Sequence, residues 1–149
     1  MKVLIIYDST FGNTAHIAQT IANTLSTTRA EVQALSIGEA QKKDLSDLEL
    51  LIVGSPTQAG RPTQGIQNFL KNFPRASLSG KKATSFDTRV NRTGAKIIGF
   101  AAKRIARSLR AKGCSLIAKP EGFFVGGKEG PLIDGVIERA AKWARSLEK

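Results

Sequence analysis

Two continuous apolar segments, KVLIIYD at 2–8 and LELLIVGS at 48–55, constrain the fold of this 149-residue chain more than any other feature. A strand that faces water on one side alternates apolar and polar residues, whereas a continuous apolar run is typical of a strand buried on both faces. A sheet with two covered faces needs a layer of helices on each of them. The two segments therefore predict a parallel sheet between two layers of helices.

Helical and extended patterns alternate along the rest of the chain. The predicted helices span 13–28, 63–73, 96–112 and 133–147, with a single helical turn at 44–48. The further predicted strands span 30–36, 81–88 and 115–125. Pro120 interrupts the last of these strands, and because proline cannot donate to a strand ladder, the pattern places that strand at a sheet edge. Five strand–helix units without a linker predict one α/β domain over 1–149, built on a doubly wound five-stranded parallel sheet.

The loop after the first strand, STFGNT at Ser9–Thr14, contains hydroxyl, amide and glycine residues and no positive charge. Ligands of doubly wound sheets bind outside the carboxyl ends of the strands, where this loop is predicted to lie. It leads into a helix, whose first N–H groups lack intrahelical acceptors and favour an anion. Gly12 permits a close backbone approach, and Asn13 is predicted to be the N-cap. The loop suits a phosphate held by neutral donors, although an ordinary cap of a strand–helix turn explains the same residues.

Two more loops are predicted at the same edge of the sheet. GSPTQAGRPT at 54–63 is stiff and polar, and its backbone could line a flat ligand; an ordinary Pro/Gly-rich connection has the same composition. FDTRVNRTG at 86–94 places Asp87 and Thr88 at the end of the fourth strand, where they either cap a turn or face a ligand. Taken singly, neither loop decides between its two interpretations.

Together, IIYDSTFGNTAHIA, LLIVGSPTQAGRPT and SFDTR resemble the flavin-binding loops of the flavodoxin family. The resemblance extends over essentially the whole chain, and it implies the strand order 2-1-3-4-5 and one non-covalently bound FMN. The residues that it implies for binding near the FMN phosphate are Ser9, Thr10, Phe11, Gly12, Asn13 and Thr14. Along the isoalloxazine ring it implies Ser55, Pro56, Thr57, Gln58, Ala59 and Gly60. Near the other side of the ring or the ribityl chain it implies Asp87, Thr88 and Arg89.

The loops depart from the family pattern in their aromatic residues. Phe11 stands where many flavodoxins have a threonine, so it either removes a hydroxyl contact or provides an apolar cover for the site. The flavin loops contain neither the tyrosine nor the tryptophan that usually stacks on the ring, because Tyr7 belongs to the first strand and Trp143 to the last helix. Stacking on an aromatic ring contributes roughly 1–3 kcal/mol, so we expect FMN binding to be weaker by about one or two orders of magnitude unless a partner completes the site.

Positive charge is concentrated in one region of the chain. The formal net charge is +11, and residues 76–112 carry ten Lys and Arg against the single acid Asp87, whereas residues 1–75 are nearly neutral. A basic face is predicted at Arg89, Arg92, Lys96, Lys103, Arg107 and Arg110. Such a face fits an acidic redox partner or an anionic substrate, non-specific contact with nucleic acid or an anionic membrane, or a solvated helix surface. The predicted helix lacks interleaved aromatic residues, which argues against a dedicated nucleic-acid reader.

The resemblance favours an FMN-dependent electron carrier. The alternatives are an oxidoreductase acting on a quinone or porphyrinogen, and an interaction protein that keeps the fold but binds FMN weakly; whether the chain is an enzyme stays open. Arg61, Arg89 and Arg92 are expected to make the flavin reduction potential less negative than is usual in the family. We expect a monomer in the cytoplasm, because no signal-peptide pattern is present and Cys114 is the sole cysteine. No cluster of His, Cys, Asp or Glu has metal-ligand spacing.

Overall fold

A parallel sheet forms the centre of the computed structural model, which describes residues 2–28, 31–41, 44–73, 77–90 and 100–148. Within these ranges the strands are β1 Lys2–Tyr7, β2 Glu31–Ser36, β3 Leu50–Pro56, β4 Lys82–Val90, β5 Ser115–Leu116 and β6 Glu121–Val125. They are ordered β2-β1-β3-β4-β5, and β6 also pairs with β4. All these pairings are parallel. The predicted doubly wound order 2-1-3-4-5 is confirmed.

The fifth position of the sheet is shared by two short strands. Lys82 and Ala83 of β4 pair with β5, whereas the register of β6 begins further along β4, at Phe86 opposite Glu121. Pro120 lies between β5 and β6, where its missing N–H group costs no ladder hydrogen bond. The prediction of a final strand interrupted at this proline is confirmed.

Helices flank the sheet within the described ranges. They are α1 Asn13–Leu25, α2 Ile37–Ala40, α3 Gln64–Lys71, α4 Ala101–Ala111 and α5 Val136–Ser146. The helical turn predicted at 44–48 is a single hydrogen-bonded turn, in which the N–H of Leu48 donates to the carbonyl of Leu45 at 3.2 Å, and the one-turn helix α2 comes earlier in the chain. The carboxylate of Glu39 fixes its start by accepting from the backbone N–H of Ser36 at 3.1 Å. None of the helices in the described part of the chain is long and apolar enough to cross a membrane.

Helix α4 begins later than its predicted start at Lys96. Phe100 has an extended backbone, with φ −139° and ψ 154°, so the helix cannot continue through it. The first two N–H groups of α4 are held from outside the helix: Ala101 donates to Thr57 Oγ1 at 3.1 Å and Ala102 donates to Asp87 Oδ2 at 2.9 Å. Residues 91–99, which include the predicted positions Arg92 and Lys96, lie outside the described residues.

The sheet is buried on both faces, as the two apolar segments predict. Along β1, Val3 and Ile5 pack in the cluster under α1 and α5, while Leu4 and Ile6 pack in the cluster under α3 and α4. Both helical layers therefore pack directly on the central strands, and the loops at the strands' carboxyl ends are brought to one edge.

Candidate functional site

The three predicted flavin loops meet at the carboxyl edge of β1, β3 and β4. The hydroxyl oxygens of Thr14 and Thr88 are 2.9 Å apart. The side-chain amide of Gln58 donates to Thr10 Oγ1 at 3.4 Å. The backbone N–H of Thr57 donates to the carbonyl of Thr88 at 2.8 Å. The loops that sequence analysis selected are thus in direct contact.

The Ser9–Thr14 loop is organised by the hydroxyl of Ser9. Its oxygen accepts from the N–H of Gly12 at 3.0 Å and from the N–H of Ala15 at 3.3 Å. Gly12 is the N-cap of α1 and has φ +91°, a left-handed conformation that favours glycine. The prediction of Asn13 as the N-cap is therefore wrong: Asn13 is the first helical residue, and its side chain donates to the carbonyl of Glu129 at 3.1 Å.

Four backbone donors of this loop are available for a ligand. Among the described residues, none accepts from the N–H groups of Thr10, Phe11, Asn13 or Thr14. They lie at and just before the N-terminus of α1, where the helix dipole favours an anion. The donor set is neutral and compact, so it fits a terminal phosphate group.

A chain of hydrogen bonds ties this loop to the second one. The carboxylate of Asp8 accepts from the N–H of Ser9 at 3.0 Å and from the hydroxyl of Thr63 at 2.6 Å. Thr63 is the N-cap of α3, accepting from Ile66 at 3.3 Å, and its own N–H donates to Ser55 Oγ at 2.9 Å. Ser55 is fully buried and donates to the carbonyl of Pro56. Its hydroxyl therefore shapes the second loop from inside.

The second loop ends in a tight hairpin from Gln58 to Arg61. These two residues exchange backbone hydrogen bonds of 2.8 and 3.0 Å. Between them Ala59 has φ +50° and Gly60 φ +79°, the two positive values that a type I′ turn requires. Ala59 is the one non-glycine residue with positive φ in the described part of the chain. The carbonyl of Gly60 accepts from Arg104 Nε at 3.0 Å, so α4 supports the hairpin.

The segment predicted as the third loop begins later than expected, because β4 continues to Val90, and the end of this strand contains a buried ion pair. Asp87 is fully buried, and its carboxylate accepts from Nε and Nη2 of Arg89, both at 2.7 Å. Burial raises the pKa of the Asp87 carboxyl, and the Arg89 guanidinium opposes that rise. Arg89 also stacks on Phe100, with Cζ 3.5 Å from the ring centre. A Cβ atom on Gly122 would lie 2.2 Å from the guanidinium carbon, so only glycine leaves room for this arrangement.

These contacts give the carboxyl end of β4 a structural role that its sequence does not reveal. Asp87 fixes the start of α4 and holds Arg89, and Thr88 meets Thr14. A ligand-facing role for these residues stays a prediction. Among the residues of the predicted basic face, the exposed members on α4 are Lys103, Arg107 and Arg110. Arg89 lies in the ion pair instead, with 17% of its side chain exposed.

Sequence analysis missed a fourth segment at this edge, the turn at 126–131. The amide of Asn13 contacts it through the carbonyl of Glu129, and a Cβ atom on Gly130 would lie 2.7 Å from that amide. The signal was present in the sequence as GGKEGP directly after an apolar strand. Because a turn that follows a parallel strand lies at the carboxyl edge, the glycine cluster could have been assigned to the site.

One group of aromatic residues lies in the core, whereas Phe11 lies at this edge. Trp143 packs with Phe86 and Phe123 in the core, at centroid distances of 6.3 and 6.0 Å. Tyr7 is half-buried against the same cluster. Phe11 is 44% exposed, in the same loop as the four backbone N–H groups that have no acceptor among the described residues.

Comparison with known proteins identifies relatives of the whole arrangement. The protein-family model described as Flavodoxin domain matches residues 4–119. The flavodoxin of Aquifex aeolicus (strain VF5) is 33% identical over 91 residues, a match that covers 58% of this chain and about half, 49%, of that protein.

Solved structures agree with the fold. The oxidised Flavodoxin 2 from Bacillus cereus has a TM-score of 0.81 at 22% identity, with coverage of 99% of this chain and 98% of that one. A flavodoxin from the domain Archaea has a TM-score of 0.77 at 21% identity, with full coverage of both chains. At these identities the structural likeness establishes the fold.

Proposed function

Because this chain belongs to the flavodoxin family, we propose that it binds FMN non-covalently at the carboxyl edge of its sheet and carries electrons between redox partners. The observation that carries the proposal is the group of four backbone N–H donors at the N-terminus of α1, next to the hairpin at 58–61. FMN, when bound, supplies the redox chemistry of its isoalloxazine ring. The protein's part is to bind, orient and tune it.

At the phosphate end, the chain offers the backbone of residues 10–14 and the hydroxyl of Thr10. Gly12 shapes this segment with its left-handed conformation, and Ser9 fixes it by accepting two backbone hydrogen bonds. Since the donors are neutral, the helix dipole and not a cationic side chain compensates the charge of a bound phosphate. The residues present therefore fit the phosphate of FMN.

At the ring end, the chain offers Pro56–Gly60 and the exposed Phe11. The hairpin is held from two sides, by Arg104 on the carbonyl of Gly60 and by Gln58 on Thr10. A hairpin fixed in this way presents backbone polar groups to a flat ring. Because the hairpin is already ordered, binding causes little further loss of its conformational entropy. Arg61 adds an exposed positive charge that favours a reduced, anionic flavin.

The proposal is tested by titrating the flavin-free protein with FMN and following the quenching of flavin fluorescence. Riboflavin, which lacks the phosphate, is the matched ligand. We expect FMN to bind at least about tenfold more tightly than riboflavin, equal to roughly 1.4 kcal/mol. A protein that binds no FMN, or binds both ligands equally, would refute the proposal.

Gly12→Ala tests the proposed phosphate loop independently of the rest of the site. A Cβ atom at Gly12 meets nothing within 4 Å, so the variant acts through φ alone, and a left-handed alanine costs about 1–2 kcal/mol. We expect FMN affinity to fall about tenfold while riboflavin affinity stays unchanged. Gly38→Ala is the control, because Gly38 has equally open space and no positive φ.

A further inference from the structure

A groove between α3 and α4 is lined by positive charge. Its volume is about 430 Å³, and among its lining residues the charged ones are Arg61, Lys71, Arg104, Arg107 and Lys112. No lining residue in this described part of the chain is acidic. The packing of the two helices brings these like charges to one groove, and Lys112 is anchored by donating to the carbonyl of Phe73. Such a surface attracts an anionic partner.

Only some of the exposed basic residues on α4 line the groove, so it divides the predicted basic face along this helix. Arg104, Arg107 and Ser108 face the groove, together with Ala111, at the helical spacing of one face. Lys103 and Arg110 are also exposed, but they do not line it. The structure therefore separates two sets of cations on one helix, and only one set borders a concave site.

The shape and chemistry of the groove favour a protein segment over nucleic acid. Its inner wall includes Pro62 and Leu70, both buried and apolar. None of its lining residues is aromatic, so it offers no platform for stacked bases. Helix α3 has eight residues, about 12 Å of length, which matches two turns of a helix and is short for a nucleic-acid backbone track. Cations around an apolar wall fit an amphipathic segment that carries carboxylates beside a small apolar side chain.

We infer that this groove docks an acidic segment of the redox partner protein, an inference that rests on the proposed electron-carrier function. The groove adjoins the hairpin at 58–61: Arg61 belongs to both, and Arg104 donates to the carbonyl of Gly60 at 3.0 Å. A partner held there lies against the loop proposed to flank the flavin ring. Charge complementarity of this kind steers association and weakens as salt screens it.

The test uses a fluorescein-labelled, glutamate-rich amphipathic peptide and fluorescence anisotropy on the full chain. Lys71→Glu/Arg107→Glu reverses two groove charges, and Lys103→Glu/Arg110→Glu reverses two charges on the exposed α4 surface outside it. Both variants change the net charge equally. We expect the groove variant to weaken binding at least about tenfold and the control variant to weaken it less than about threefold. Equal losses would overturn the inference, because non-specific attraction depends on net charge alone.

Two further measurements complete the test. In the wild-type protein, the peptide should shift the backbone amide NMR signals of Gln64, Gln67 and Ser108, and shifts confined to residues elsewhere overturn the inference. Single-stranded DNA and phosphatidylserine vesicles are tested in the same way. If either binds more tightly than the peptide and loses affinity in the groove variant, the choice of a protein partner is overturned. FMN binding without peptide binding refutes the docking inference alone, whereas peptide binding without FMN binding refutes the proposed function.

Discussion

Gly54→Ala should disrupt the core directly beneath the second predicted flavin loop. Gly54 in β3 pairs with Phe86 in β4, and a Cβ atom on Gly54 would lie 2.1 Å from the end of the Phe86 ring. An ordinary contact begins at 3.4 Å, so the ring would have to retreat by 3.4 − 2.1, about 1.3 Å. The fully buried ring cannot do so freely, because Phe123 and Trp143 pack around it at centroid distances of 6.2 and 6.3 Å.

The expected cost is about 3 kcal/mol in the free energy of unfolding, at the upper end of the usual range for overpacking a core. Phe86→Leu alone should cost about 1–2 kcal/mol by leaving a cavity. In the double variant the smaller leucine makes room for the new methyl group, so its cost should fall short of the sum by at least about 1 kcal/mol.

The assay is urea denaturation followed by the fluorescence of Trp143, the sole tryptophan, which packs against Phe86. The midpoints of the wild type, both single variants and the double variant form a complete cycle. If Gly54→Ala costs less than about 0.5 kcal/mol, or if the two costs add fully, the steric argument is wrong. A loss of FMN affinity in Gly54→Ala that the double variant recovers would link this packing to the hairpin.

Three more outcomes follow from single residues. Ala59→Gly should raise the free energy of unfolding by about 0.5–1 kcal/mol, because glycine adopts a positive φ without strain. The urea midpoint measures this gain, and an unchanged midpoint would show that Ala59 is not strained. Arg61→Gln should make the flavin reduction potential more negative, because it removes a positive charge that favours the reduced, anionic flavin. Potentiometric titration in low salt measures the shift, and a shift of the opposite sign refutes the prediction. Burial raises the pKa of the Cys114 thiol. The folded state therefore favours the neutral thiol. This contributes stability that is fully present below the ordinary thiol pKa and is lost as the pH rises through the native pKa. Over alkaline pH, the urea midpoint should fall more in the wild type than in Cys114→Ala.

The sheet and the location of the site could be predicted because both depend on local patterns. A continuous apolar run reports burial on two faces, and in parallel strands the following loops meet at one edge. The start of α4 could not be predicted, because distant residues fix it. Thr57 accepts from an N–H group 44 residues later in the chain, and Asp87 accepts from one 15 residues later. The four-residue helix α2 is too short to show a helical period.

The roles of individual side chains were harder to predict than their position. A carboxylate at the end of a strand serves a ligand or a neighbouring helix equally well, and only the contacts of Asp87 with Arg89 and Ala102 distinguish these uses. The basic residues of α4 show one stripe on a helical wheel, whereas the packing of α3 decides which of them border a groove. For the contact of Asp87 with Ala102 and for the groove, the missing information was the identity of a neighbour distant in sequence.

The divided fifth strand also affects how copies of this protein meet. An exposed, continuous strand at a sheet edge offers a row of unpaired backbone groups to which another chain can add, and this is a common start of aggregation. Here that edge consists of strands of two and five residues, and the segment between them contains Pro120, which has no N–H group to offer. The interruption therefore protects the protein against edge-to-edge association on the side of the sheet that β5 and β6 form.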